Sequence, residues 1–287
     1  MATIVMTGAT SGIGAVAAGY LTKGNRLIVG ARGGTVPGAE VRSLDLTSLA
    51  SVRAFAAGLG DIPIDTLVLN AGLQMSDAAH RSVDGFETTF AVNHLAHYLL
   101  LRLLAPNLSA GARVVITASG THDPEDVKSL PGPRHADAAR LADPATDPLL
   151  DTEPRKAGVR AYTSSKLCNV LTARAFAAKH PGLTVIAYDP GLTAGTGLAR
   201  ASPPFMRNVI WPMLGLLRFV SDGVNPLPVS GAALAELATT ATPPPGEIYA
   251  ALRKSVITWK PPSAIARDDA VRDKLWTDSA AMVGLPA

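Results

Sequence analysis

The sequence predicts an α/β fold: a single-domain, doubly wound parallel sheet with helices on both faces and an apolar helical lid. Three observations carry this expectation. The apolar segment Thr3-Ile4-Val5-Met6 runs into the glycine-rich Thr7-Gly8-Ala9-Thr10-Ser11-Gly12-Ile13-Gly14, and then into an Ala-rich helical stretch reaching about Lys23. Further short apolar segments alternate with helical patterns, and several stop at turn residues: Ala31-Arg32, Asn70-Ala71-Gly72, Ser119 and Asp189-Pro190-Gly191. No internal repeat or linker divides residues 1–287, so one domain is expected.

The opening segment reads as the first strand. A strand, a glycine turn and a helix N-terminus form an anion site, because free amides and the positive dipole end converge there. The spacing is Gly-x-x-x-Gly-x-Gly rather than Gly-x-Gly-x-x-Gly, but its position at the first strand-to-helix junction points to a nucleotide. Arg26 to Ala31 reads as the second strand. Its end offers no acid for a ribose 2′-hydroxyl, whereas Arg32 suits the 2′-phosphate of NADP. A third strand, Glu40 to Leu44, follows at once, leaving no room in Gly33 to Ala39 for a crossover helix. An extended loop of that length reaches roughly 20–25 Å, enough to return along a short strand. Asp45, just beyond, could accept from the adenine amino group, and Thr47 is expected to cap a helix reaching about Leu59.

Ile64 to Leu69 reads as strand four, ending at Asn70-Ala71-Gly72 on the edge where such sheets bind ligands. Gly85 to Leu104 reads as a long helix with Phe90, Val92, Leu95, Leu99 and Leu103 in its apolar stripe. His94 and His97 within it read as satisfied helix or interface histidines. Arg113 to Ala118 is strand five, ending at Ser119. A polar, Pro-rich insertion over about 121–158 follows, with one short helix near Ala136–Leu141. A helix containing Tyr162 and Lys166 then runs to Lys179, and Leu183 to Tyr188 is strand six. Residues 198–230 hold Phe205, Ile210, Trp211 and Phe219, which reads as the lid over an apolar substrate, with membrane-surface contact as the lesser alternative. Ser230 to Thr239 is a helix, Gly246 to Leu252 a last strand, and Asp268 onward a terminal helix.

Composition narrows the function classes. Hydrophobic residues make up 47% and charged residues 17%, so a sizeable core is expected. The net charge of +3 and the absence of a basic stripe argue against nucleic-acid binding. Cys168, the one cysteine, fits a reducing compartment such as the cytoplasm, and reads as packing rather than as a nucleophile. Side-chain spacing shows no metal site, no segment is long enough to span a membrane, and the N-terminus lacks a basic region typical of secretion.

Tyr162 and Lys166, four residues apart, share a helix face. A phenol titrates near pH ~10, and a neighbouring ammonium favours the phenolate, which suits proton transfer to or from an oxygen. Taken alone, the spacing occurs by chance on many solvated helix faces.

Taken together, Thr7-Gly8…Gly12-x-Gly14, Asn70-Ala71-Gly72, Asn93, Ser119, Tyr162-x-x-x-Lys166 and Pro190-Gly191 resemble the short-chain dehydrogenases/reductases, in that family's order and over nearly the whole chain. Val92-Asn93-His94-Leu95-Ala96-His97, Ser165-Lys166-Leu167-Cys168-Asn169, Thr196-Gly197-Leu198 and Leu275-Trp276 most resemble the branch holding retinol dehydrogenases and light-dependent protochlorophyllide reductases. There are two departures: the helix after strand two is missing, and Gly195 stands where threonine is usual.

The resemblance implies a Rossmann domain that binds NADP(H). The cofactor would lie against Gly8, Ser11, Gly12, Ile13 and Gly14, against Arg32, Asp45 and Leu46, against Asn70, Ala71 and Gly72, and against Pro190, Gly191 and Thr193. Tyr162 would give a proton to the substrate oxygen and Ser119 would hydrogen-bond that oxygen. Lys166 would hold the nicotinamide ribose and lower the Tyr162 pKa, while Asn93 would support a water relay to Lys166. Three readings follow: reduction of a small-molecule ketone or aldehyde, reduction of a pigment C=C bond, and a non-catalytic NADP-binding regulator. The helices 85–104 and 160–179 form dimer faces in many relatives, so the resemblance also allows a homodimer.

Overall fold

The computed structural model describes residues 1–193 and 222–287. Its main sheet runs in the order β10-β9-β6-β5-β4-β1-β2-β3. The strands are β1 Thr3–Thr7, β2 Arg26–Ala31, β3 Glu40–Ser43, β4 Ile64–Leu69, β5 Leu108–Thr117, β6 Thr184–Asp189, β9 Tyr249–Arg253 and β10 Val256–Trp259. All neighbours are parallel except β10, which pairs antiparallel to β9. A second, two-stranded parallel sheet joins β7 (Leu192–Thr193) to β8 (Val224–Asn225). The expected Rossmann topology is therefore present, with the order reversing between β1 and β4.

Alternation along the strands builds two cores. Val5, Ile28, Leu67 and Val114 point to one face. There they pack under α2 (Leu49–Leu59), α4 (Ala96–Leu104), α6 (Pro154–Lys179) and α9 (Asp269–Met282). Ile4, Met6, Leu27, Val29, Val68, Val115 and Ile186 point to the other face. That face is covered by α1 (Gly12–Leu21) and α7 (Leu227–Thr239). The short elements α3 (Thr88–Phe90), α5 (Ala138–Ala142) and α8 (Ala264–Arg267) complete the set.

Residues 32–39 cross from β2 to β3 without a helix, as expected, and the strands stay parallel with Ile28 opposite Glu40. Other boundaries shift for identifiable reasons. Ser48, not Thr47, caps α2 by accepting from Ser51 N, while Thr47 donates from N and Oγ1 to Asp45 Oδ1. The long helix begins at Thr88 rather than Gly85, because the buried Glu87 carboxylate accepts from Thr89 N and Phe90 N at 2.8 and 2.7 Å. It then contains a π-helical turn, Ala91–Leu95, before α4. The α6 helix starts at Pro154, inside the stretch expected to be loop, with Pro in its first turn. Lys254 and Ser255, both at positive φ, close a hairpin into β10, a strand the sequence reading omits.

Residues 198–221 of the expected lid, with Phe205, Ile210, Trp211 and Phe219, lie outside the described residues, as does Gly195. Of its remainder, Val224–Asn225 is β8 and Leu227 opens α7. Asn225 is fixed there by donating to Pro190 O and Leu252 O and accepting from Ser255 N.

Candidate active site

The strand carboxyl ends put Thr7, Ala31, Leu69, Thr117 and Asp189 on one sheet edge. The glycine-rich turn after β1 wraps over this edge. Gly8 and Gly12 adopt φ of 71° and 58°, which L side chains rarely accept. A Cβ on Gly8 would lie 2.6 Å from Ala71 Cα, and one on Gly14 would lie 1.9 Å from Gly8 O. The turn therefore folds tightly against Asn70-Ala71 at the start of α1. Ser11 is the α1 N-cap residue, with extended backbone, and Ile13 is partly exposed beside it.

A polar web holds this turn. Thr7 Oγ1 accepts from Asn70 N (3.0 Å) and Ala71 N (3.1 Å). Asn70 Nδ2 donates to Gly8 O (3.1 Å), and Asn70 Oδ1 accepts from Thr117 Oγ1 (3.1 Å). With both Thr7 lone pairs taken, its hydroxyl proton points to His97 Nε2 at 2.9 Å, so Nδ1–H of that ring donates to the Asn93 carbonyl at 3.1 Å. Burial holds His97 down to about 4, in keeping with a neutral ring.

The four expected catalytic residues converge. Asn93 lies in the π turn, where its Oδ1 accepts from Leu73 N (2.9 Å) and its Nδ2 donates to Leu73 O (2.9 Å) and Ser165 Oγ (3.0 Å). Its side chain thus holds the loop after β4. Lys166 Nζ donates to Thr117 O at 3.0 Å, and a Cβ on Gly72 would sit 3.5 Å from it. An ammonium has three donors, so Lys166 can still bind a ligand oxygen at this edge. Burial brings it down to about 8.

Tyr162 is 8% exposed. Burial pushes its phenol well up, the Ser119 side chain pulls it down, and the Asp189 charge adds to the rise. The expected lowering by Lys166 is not part of this balance: the ammonium stands over the ring, 5.6 Å from its centroid, and burial sets the direction. Ser119 Oγ accepts from Thr121 N (3.3 Å) and Thr121 Oγ1 (3.1 Å), which leaves its proton to donate outward.

The remaining expected contacts are spread along the same edge. Arg32 is exposed and forms no ion pair among the described residues. Asp45 spends Oδ1 on Thr47, and Leu46 packs on the core. Gly191 N donates to Asp189 Oδ1, while Thr193 Oγ1 meets Ser230 Oγ at 2.9 Å. The glycine cradle, the ammonium with donors to spare and the unpaired guanidinium fit an anionic dinucleotide.

Three contributors escaped sequence reasoning. Buried His122 and Asp189 and half-buried Arg253 cluster behind Ser119, and the one hint was an acid placed directly before Pro190-Gly191. Cys168 is buried with its thiol pushed up, as expected of a packing residue.

A short chain dehydrogenase family model matches residues 2–125. Protochlorophyllide reductase A, chloroplastic, of Triticum aestivum is 30% identical over 314 residues, covering 98% of this chain and 80% of that protein. Dehydrogenase/reductase SDR family member 13 of Bos taurus is 32% identical over 304 residues, covering 99% of this chain and 73% of that protein. The crystal structure of an uncharacterized protein from Mycobacterium paratuberculosis superposes with a TM-score of 0.72 at 27% identity, covering 100% of this chain and 94% of that one. The chain belongs to the short-chain dehydrogenase/reductase family of oxidoreductases. Within the family it falls in the branch of retinol dehydrogenase-like and protochlorophyllide reductase proteins.

Proposed function

We propose that this protein is an NADPH-dependent reductase that converts a ketone or aldehyde of a fairly apolar small molecule to the alcohol, reversibly. The observation that carries the reading is the placement of Tyr162, Ser119 and Lys166 beside the glycine cradle on one sheet edge. When bound, the nicotinamide supplies the hydride. The chain's own tasks are orientation and proton delivery. Ser119 donates to the substrate oxygen, Tyr162 gives it a proton, and Lys166 holds the nicotinamide ribose. Asn93 holds the 70–73 loop and supports a water path to Lys166. Burial keeps Tyr162 protonated at neutral pH, as a donor in reduction must be. The unpaired Arg32 supports NADPH over NADH, because a guanidinium can pair bidentately with a 2′-phosphate.

A carbonyl panel with NADPH and NADH tests this, alongside Tyr162→Phe. The variant should bind NADPH normally and lose at least ~10²-fold in turnover. Near-normal turnover would sink the assignment, and equal use of both cofactors would count against the Arg32 role. A second reading, reduction of a conjugated pigment C=C bond, is supported by the 30% identity to a protochlorophyllide reductase along 98% of the chain. Bound pigment, or turnover that requires light, would decide for it.

A further inference from the structure

Behind Ser119 lies a buried histidine to which the proposed proton transfer gives no part. His122 is 1% exposed, and both its ring nitrogens meet backbone groups with fixed roles. Nδ1 is 2.8 Å from the Ser119 carbonyl, which can only accept, and Nε2 accepts from Ser263 N at 3.1 Å. The ring must therefore be neutral, with its proton on Nδ1. The connection continues beyond the ring. His122 packs on Tyr249 with centroids 4.9 Å apart, and Tyr249 donates to Asp189 Oδ2 at 3.1 Å. Asp189 is fully buried, and its other oxygen accepts from Gly191 N at 2.9 Å. Arg253 ties Asp189 (2.8 Å) to Asp126 (2.6 Å), and a Cβ on Gly120 would lie 2.9 Å from Asp189 Oδ2. The turn that presents Ser119 is thus held on its inner side by groups from β6, β9 and the approach to α8.

We propose that His122 is a positioning residue for the reaction: its Nδ1–H, anchored to the Ser119 carbonyl, sets the Ser119 hydroxyl opposite Tyr162, and Tyr249 and Asp189 couple that turn to Pro190-Gly191. The proposal rests on the reductase reading for its kinetic consequence, but not for its geometry. The charged groups facing the ring are Asp189, Asp123 and Lys260. Burial, which opposes protonation, outweighs the two carboxylates.

The test pairs two isosteres. His122→Asn keeps a donor at the Nδ1 position, whereas His122→Gln keeps only an acceptor near Nε2. His122→Gln should lower kcat on the order of 10- to 100-fold, with NADPH Kd unchanged within about twofold and KM little moved. His122→Asn should recover most of that loss. In a Ser119→Ala background His122→Gln should cost nothing further, because the residue it positions is gone. Equal losses in both isosteres that track their thermal stability, or full additivity with Ser119→Ala, would overturn the proposal. Nitrogen-15 NMR of histidine-labelled wild type gives a readout free of turnover. His122 should be neutral and protonated on Nδ1 at neutral pH, and an Nε2–H tautomer or a protonated ring there would overturn it. If no carbonyl is reduced by the wild type, the reductase reading fails while the NMR result still decides the anchoring.

Discussion

Tyr162 and Lys166 show how burial reshapes a pair whose spacing alone promises little. The ammonium comes down to about 8 and the phenol rises, so both move toward their neutral forms when water is removed. The same effect governs His94 and His97, held at about 3 and about 4 against an ordinary 6.5. His94 Nε2 meets Ser279 Oγ at 2.9 Å and His97 links Thr7 to Asn93, so both are satisfied as neutral rings. The unfolded chain binds more protons than the folded one between 6.5 and these values. Stability is therefore complete above about pH 6.5 and drains as pH falls through that window, by up to ~2 kcal/mol per imidazole by about pH 5. Urea unfolding at about pH 7, 6 and 5 should show this loss before the carboxylates titrate. His94→Gln should flatten the slope, and a flat wild-type profile would contradict the burial argument.

At the level of elements, close approach matters more than propensity. The β1 turn, α1 and α7 pack so tightly that a Cβ on Gly231 would meet Val16 Cβ at 2.4 Å, while Gly14 abuts Gly8 O. Gly14→Ala removes no contact and improves helix propensity, yet it must push the turn off Asn70. It should weaken nucleotide binding at least ~10-fold and cost ~1–3 kcal/mol of stability, measured by titration calorimetry and urea unfolding. Wild-type affinity would show that the turn has slack. The glycines were legible in the sequence because their spacing sits at a strand-to-helix junction. Other features were not. Glu87 looks like an ordinary acid, and only the backbone shows it capping Thr89 and Phe90. Lys254-Ser255 lacks the Asn-Gly signature of a two-residue hairpin, so β10 went unseen.

Across the molecule, the apolar face of α4 and α6, where the resemblance allows a dimer partner, is covered by the chain's own α9. Tyr98 OH donates to Trp276 O at 2.9 Å, the two rings meet edge-on at 4.9 Å, and Arg102 stacks over Trp276 at 5.0 Å. Leu275, Trp276, Ala280 and Val283 belong to the same core as Leu99 and Phe176. Trp276→Ala should cost ~3–5 kcal/mol in urea unfolding, and the wild type should run as a monomer in light scattering. A wild-type dimer that persists with α9 in place would show that association uses another face. Among the described residues, no helix is long and apolar enough to cross a membrane.

The sequence by itself determined the parallel strands β1 to β6 and β9 and the glycine-rich turn, because periodicity and glycine conformation are local properties of the chain. The expectation for Asn93, Ser119, Tyr162 and Lys166 came instead from the family resemblance. Only the tertiary structure decided that His122, Asp189 and Arg253 stand behind Ser119, and that α9 seals the helix face. Those outcomes depend on which distant segments share a low-dielectric interior, where each buried polar group must find its partner across the fold.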